Sequence, residues 1–167
     1  MAKATRATQA LAKLGIAFTL YTYDYDPDAQ HTGLQAAEAL GEQPSRVLKT
    51  LMALVDGKPV CAMVPSDAEV SMKKLAAAFG GKSAQMMKPG DAERFTGYKV
   101  GGISPFGQMR NVLTVIETTA LTQMYVFINA GQRGLQVKLD PRDALKALGA
   151  QSASLVTQTG DLRHDPS

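Results

Sequence analysis

Val47-Leu48-Lys49-Thr50-Leu51-Met52-Ala53-Leu54-Val55-Asp56-Gly57-Lys58-Pro59-Val60-Cys61-Ala62-Met63-Val64 sets two apolar runs of strand length on either side of an Asp-Gly pair. A type I′ turn needs positive φ at both central residues, which Asp and Gly tolerate, and its twist matches the strands it joins. The stretch therefore predicts a β-hairpin turning at Asp56-Gly57. Lys49 interrupts the first run. A lysine there either faces solvent or points into a cleft, where its charge can hold a carboxyl or carbonyl oxygen.

Upstream, Phe18-Thr19-Leu20-Tyr21-Thr22-Tyr23 reads as a strand, stopped by the polar residues 24–28 with Pro27. Tyr21, Tyr23 and Tyr25 alternate and so share one strand face. A helix is expected over 34–40, with Leu34, Ala37 and Leu40 on one side and Gly41 as its C-terminal cap. The start of the chain carries Lys3, Arg6 and Lys13 and no acid up to residue 23. Ala4, Ala7, Leu11 and Leu14 recur there at helical spacing, so an ordinary first helix is expected rather than a transit peptide.

Downstream, Met72, Leu75, Ala76 and Phe79 line one face of a helix ended by Gly80-Gly81. Strands follow over 112–116, 124–128 and 135–139, read as an antiparallel meander. Asp140-Pro141-Arg142-Asp143 supplies an N-cap, a proline at the first helical position and a first-turn acid; Leu145 and Leu148 face inward and Gly149 ends that helix. Residues 158–167 are polar and predict a flexible tail, leaving one domain over 1–157. Helices between and around grouped strands make this an α+β fold with a curved or barrel-like sheet.

The chain has 167 residues, 45% apolar and 20% charged, with a net charge of +3. That is enough chain for a core without disulfides or metal. No run of residues approaches a membrane span. Cys61 is the only cysteine, which rules out an internal disulfide and fits a reducing cytoplasmic setting; as a strand residue it is expected to be a buried, inert thiol. His31 and His164 are the only histidines, one in an expected loop and the other in the expected tail, which argues against a Ser-His-Asp set and a histidine-rich metal site. No phosphate-binding loop of the G-x-x-x-x-G-K-[ST] kind occurs. Lys73, Lys74, Lys82, Lys88, Arg94, Lys99, Arg110 and Arg133 scatter positive charge through the middle of the chain, compatible with a phosphate backbone but also with simple solvation.

Gly97-Tyr98-Lys99-Val100-Gly101-Gly102-Ile103-Ser104-Pro105-Phe106-Gly107 packs four glycines and a proline among apolar residues. The backbone there must bend sharply or pass close to something a side chain would block. Val100, Ile103 and Phe106 would pin it to a core, as a ledge whose amide N–H groups could meet a ligand oxygen.

This ledge, the block Val47-Leu48-Lys49-Thr50-Leu51 and the block Ala130-Gly131-Gln132-Arg133-Gly134-Leu135 together resemble the YbaK/EbsC family of free-standing aminoacyl-tRNA deacylases, related to the editing insertion domain of bacterial prolyl-tRNA synthetases. The resemblance runs from about Thr5 to Thr157, with the blocks in family order. It implies a mixed α/β, barrel-like fold with no metal and no cofactor. It implies removal of cysteine from mischarged Cys-tRNA(Pro): the cysteine thiol attacks its own ester carbonyl, leaving a cyclic thiolactone and free tRNA. The partners implied are the acceptor end of an aminoacyl-tRNA and a prolyl-tRNA synthetase. Two other readings stand beside it: a deacylase clearing alanine or another small residue with water, and a tRNA- or synthetase-binding module without turnover.

By the same resemblance Lys49 is the essential lysine, and Gly101 lies where the backbone approaches the aminoacyl group. Tyr23, Thr50, Gly102, Ser104 and Pro105 take substrate-binding positions. Where the family pattern has phenylalanine, serine and aspartate, this chain has Thr32, Asn129 and Gln136, so its pocket differs in shape and polarity.

Overall fold

The structure is a computed structural model, and it describes residues 4–28 and 32–157. The tail expected over 158–167 lies outside the described residues, as do both histidines. The elements in chain order are α1 (Arg6–Lys13), β1 (Thr19–Thr22), α2 (Thr32–Leu40), β2 (Leu48–Val55), β3 (Lys58–Pro65), α3 (Met72–Ala78), β4 (Ala84–Met86), α4 (Pro89–Thr96), β5 (Leu113–Glu117), β6 (Val126–Asn129), β7 (Leu135–Leu139), α5 (Pro141–Leu148) and β8 (Gln151–Ala153). The fold is mixed α+β.

Local chemistry accounts for the well-marked boundaries. Asp56 and Gly57 take φ of +49° and +83°, the pair of left-handed conformations that a type I′ turn requires, and Val55 faces Lys58 across it. The α5 helix starts on Asp140, whose side chain accepts from Arg142 N, and carries Pro141 in its first turn. At the chain's start, Thr5 and Thr8 cap α1 reciprocally, satisfying two backbone donors that the first turn otherwise leaves open.

The strands form two sheets rather than one closed barrel: β1-β7-β6 and β4-β2-β3-β5-β8. The expected meander is corrected with it. β6 and β7 do pair antiparallel, but β5 runs parallel to β3 inside the larger sheet, and β8 parallel to β5. Its burial fits that place. Four of the five residues of β5, Thr114 through Glu117, are buried, the near-continuous burial of a central strand flanked by parallel neighbours. The α3–α4 segment supplies the long crossover that a parallel pair needs. β4, α4 and β8 escaped the sequence reading because they are short or, in α4, opened by Pro89-Gly90, which reads as a turn.

The buried side chains pack in three layers. Leu48, Met63, Ile116, Ile128 and Val137 pack with Leu11 of α1 and Ala144 of α5 in the main core. The opposite face of the small sheet carries Tyr21 and Phe127, their rings 5.1 Å apart edge to face, and is covered by Ala36 and Ala37 of α2. On the large sheet, Val60, Ala62 and Val115 pack under Leu75 and Ala76 of α3.

β2 joins the two sheets. An isolated parallel bridge links Val47 to Phe127 of β6. The two strands then part, and β2 next finds a partner on that side only at Ala53, which faces Met86 of β4. Residues 48–51 therefore border a gap.

Candidate functional site

The gap is a cleft of about 250 Å³ lined by Lys49, Thr50, Gly101, Asn129 and Gln136 together with Gly33, Leu48, Leu51, Ser66, Val100 and Ile103. Five residues singled out from sequence thus converge from β2, β6, β7 and the glycine-rich ledge. Lys49 is half-buried and settles the open question of its direction: it borders the cleft. None of the ion pairs among the described residues involves it.

Strand parity explains how β2 serves the cleft. Val47 accepts from Ser66 N at 2.8 Å, so odd-numbered residues of β2 direct their main-chain groups to β3, and even-numbered ones away from it. Met52 confirms the parity, its carbonyl accepting from Met87 N on the other side at 3.0 Å. The Thr50 N–H and C=O consequently face the side where β6 has parted from β2. On the small sheet, Tyr21, Gln136 and Asn129 form one cross-strand row, on the α2 face and beside the helix's first turn.

The ledge is held from several directions. The Tyr98 hydroxyl donates to the Phe106 carbonyl at 2.6 Å, and burial pushes that phenol up to about 12. Arg133 Nε donates to the Val100 carbonyl at 2.8 Å while its guanidinium lies over the Tyr25 ring. Asn129 Nδ2 donates to the Gly101 carbonyl at 3.2 Å, and its Oδ1 accepts from Gly131 N at 2.7 Å. Asn129 is thereby committed at both ends.

These bonds change what the ledge can offer. Gly102 N donates to the Lys99 carbonyl and Val100 N to Glu93 Oε2, both at 2.8 Å. Gly101 N, by contrast, has no protein acceptor among the described residues. The glycines meet the close approach that the sequence suggested, and here the protein itself is what they approach. A Cβ at Gly101, where φ is +90°, would fall 2.5 Å from the Tyr25 hydroxyl oxygen; one at Gly102 would fall 2.8 Å from Arg133 N. Their smallness serves the packing of the ledge on Tyr25 and on the 131–134 turn.

Of the other expected site residues, Tyr23, Gly102, Ser104 and Pro105 sit outside the described lining. Tyr23 stands behind Gln136, and burial raises its pKa, helped by Tyr25. Ser104 is fully buried and accepts from Phe106 N at 3.2 Å; Pro105 beside it is buried as well. Both shape the ledge. Gly102 borders a second cavity on the ledge's far side, with Lys99, Gln132 and Arg133. Thr32 is the first residue of α2, adjacent to the cleft residue Gly33.

Gly33 and Ser66 were not anticipated. A Cβ at Gly33 would lie 2.7 Å from Ser66 Cβ, so α2 can begin over the β2–β3 hairpin only with glycine there. A glycine inside a helix's first turn is costly for the helix, and that was the available signal. Ser66 Oγ donates to the Pro44 carbonyl at 2.9 Å, which occupies its proton. Among the described residues no group of three or more His, Cys, Asp and Glu side chains could hold a metal ion, and no helix is long and apolar enough to cross a membrane.

Comparison with known proteins places this geometry. The chain is 31% identical over 156 residues, 92% of its length and 94% of the other's, to EbsC of Enterococcus faecalis, whose name assigns it Cys-tRNA(Pro)/Cys-tRNA(Cys) deacylation. It is 36% identical over 78 residues to the proline–tRNA ligase of Maridesulfovibrio salexigens, of which the match spans 13%. Among solved structures it shares its fold with one described as a trans-editing enzyme for prolyl tRNA synthetase, at a TM-score of 0.78 and 21% identity over 92% of this chain and 96% of that one. The protein APE2540 is similar at a TM-score of 0.81 and 22% identity, over 92% of this chain and 100% of that one. The model of one family, the aminoacyl-tRNA editing domain, matches residues 27–147, from before α2 to within α5, and so takes in every residue that lines the cleft. The chain belongs to the aminoacyl-tRNA editing domain family.

Proposed function

We propose that this chain is an aminoacyl-tRNA deacylase that removes cysteine from mischarged Cys-tRNA(Pro), the ester being broken by the substrate's own thiol. The observation that carries the reading is the make-up of the cleft: among the described residues its lining holds one cation, Lys49, and neutral polar groups, with no histidine, cysteine or carboxylate. A protein nucleophile or an activated water calls for a base to take its proton, and the Ser66 hydroxyl is already turned to Pro44. Such a cleft suits a nucleophile that arrives with the substrate.

In this step the cysteine sulfur forms a bond to its own ester carbonyl carbon, and the bond from that carbon to the ribose oxygen breaks. The thiol proton ends on the ribose oxygen, leaving a cyclic thiolactone and free tRNA. Well-oriented intramolecular attack reaches effective molarities of roughly 10⁵ M and above, so holding the geometry is itself catalysis. Lys49 orients and polarises the aminoacyl end. The Gly101 N–H donates to the carbonyl oxygen as negative charge develops, a contact worth about 3 kcal/mol in comparable sites. The cleft's volume of about 250 Å³ lies below that of pockets for drug-sized ligands, roughly 300–1,000 Å³, and suits a small side chain. The name of EbsC supports cysteine as that side chain and proline tRNA as its carrier, and the likeness to a proline–tRNA ligase supports cooperation with that synthetase.

The test is a deacylation panel of Cys-, Ala- and Pro-tRNA with the wild-type protein and Lys49→Ala, with mass detection of the thiolactone. Cys-tRNA should be cleared fastest, and Lys49→Ala should lose about 100-fold or more, as removal of one charge-stabilising donor does elsewhere. Clearance of Ala-tRNA at the Cys-tRNA rate would refute the thiol-assisted route. Tight tRNA binding with a surviving ester would refute turnover altogether.

A further inference from the structure

Two residues that line the cleft carry a buried polar atom without a hydrogen-bond partner, as does the Tyr23 hydroxyl beside Gln136. Gln136 is 3% exposed, and its Oε1 accepts no hydrogen bond among the described residues; the same holds for the Thr50 hydroxyl oxygen. Both residues line the cleft. Buried polar atoms in folded proteins are nearly always paired, and an unpaired one calls for a specific reason. Asn129, the cross-strand neighbour of Gln136, shows the contrast, since both ends of its amide are bonded within the protein.

The chemistry of an aminoacyl ester sorts these groups. Its carbonyl and ester oxygens are acceptors, and the cleft meets them with donors, the Lys49 ammonium and the Gly101 N–H. Its α-amino group carries two or three N–H donors, and the unanswered acceptor in the row of Tyr21 and Asn129 is Gln136 Oε1, whereas Thr50 shares the face of Leu48 in the main core. Resting on the deacylase reading above, we infer that Gln136 is the acceptor for the substrate's α-amino group, so that this cleft selects esters bearing an unblocked amine. This acceptor is uncharged, and no carboxylate is among the described residues that line the cleft. Recognition is by an oriented dipole rather than by a counter-ion, and it is strict in the way of buried hydrogen-bonding sites: an analogue lacking the donor leaves the acceptor unpaired.

The test compares cysteinyl-tRNA with 3-mercaptopropionyl-tRNA, which keeps the thiol, the ester and the terminal ribose but lacks the amine. Each enzymatic rate is divided by its uncatalysed rate to remove the amine's intrinsic effect on the ester. Wild type should prefer the cysteinyl ester by tenfold or more. Gln136→Met should erase that preference by slowing only the cysteinyl ester, and Gln136→Glu, which keeps an acceptor, should retain it. Equal corrected rates with wild type overturn the inference while leaving the deacylase reading intact, and they do so even if the Met variant fails to fold. A preference that persists in Gln136→Met overturns the role of Gln136, with the ribose hydroxyl then the group its carbonyl would meet. Failure of wild type to clear either ester overturns the deacylase reading and this inference with it.

Discussion

Replacing Gly101 by alanine separates two reasons for a glycine at the cleft's edge. Its φ of +90° strains any residue with a Cβ by about 1–2 kcal/mol. The added methyl would also sit 2.5 Å from the Tyr25 hydroxyl oxygen and 3.1 Å from the ring carbon that bears it, and overpacking of this kind adds about 1–3 kcal/mol. Gly101→Ala should therefore destabilise the protein by about 2–5 kcal/mol. In a Tyr25→Ala background the clash disappears and only the backbone strain of about 1–2 kcal/mol should remain. Urea denaturation of the four proteins measures the coupling directly. Independent sites add to within about 0.3–0.5 kcal/mol; coupling no larger than that would show that Tyr25 is not what Gly101 accommodates. A Gly101→Ala protein of undiminished stability that had lost deacylation would return the glycine to its other reading, as room for the substrate.

Two further perturbations test the frame around the cleft. Glu117 is 2% exposed; burial alone would raise its pKa, but the N–H groups of Leu155, Thr119 and Val156 outweigh that and hold it low. A depressed carboxylate pKa adds stability above the unfolded value, about 4.3, and this is lost as pH falls through the folded value. Glu117→Gln should thus cost about 1.5–3 kcal/mol at pH 7 and flatten the acid limb of stability below about pH 5; an unchanged limb in pH-dependent urea melts would contradict the assignment. Cys61 is fully buried, and burial pushes its thiol up to about 12. Its alkylation at pH 8 should be slow in the native protein and rapid in urea, and equal rates would place it at the surface.

The parts of the fold written in short-range chemistry were legible. Asp56-Gly57 dictates its turn through φ alone, and Asp140, Pro141 and Gly149 bracket a helix by the needs of its end groups. Pairings between distant strands were not. Nothing local in Val112-Leu113-Thr114-Val115-Ile116 says that its neighbour is β3 rather than β6, because an apolar run fits either a meander or a buried parallel strand. The site divided along the same line. Lys49 could be marked as a polar break in an apolar run, and Thr50 by the family resemblance alone, but their direction depends on where β2 loses β6 as a neighbour, a tertiary fact. The ledge was recognised from its glycines, which mark a bend and a close approach, but what they approach, Tyr25 and the 131–134 backbone, is set by contacts that close only in the folded chain.

The pairing of β1 with β7 carries a consequence for anyone trimming the protein. Thr19–Thr22 forms the outer strand on Gln136 and its neighbours, yet it precedes residues 27–147, over which the chain matches its family. A polypeptide cut to that span would strip β7 of its partner and leave a row of unsatisfied main-chain donors and acceptors beside the cleft. Open edges of that sort recruit other strands, so self-association would compete with tRNA at the very strand that bears Gln136.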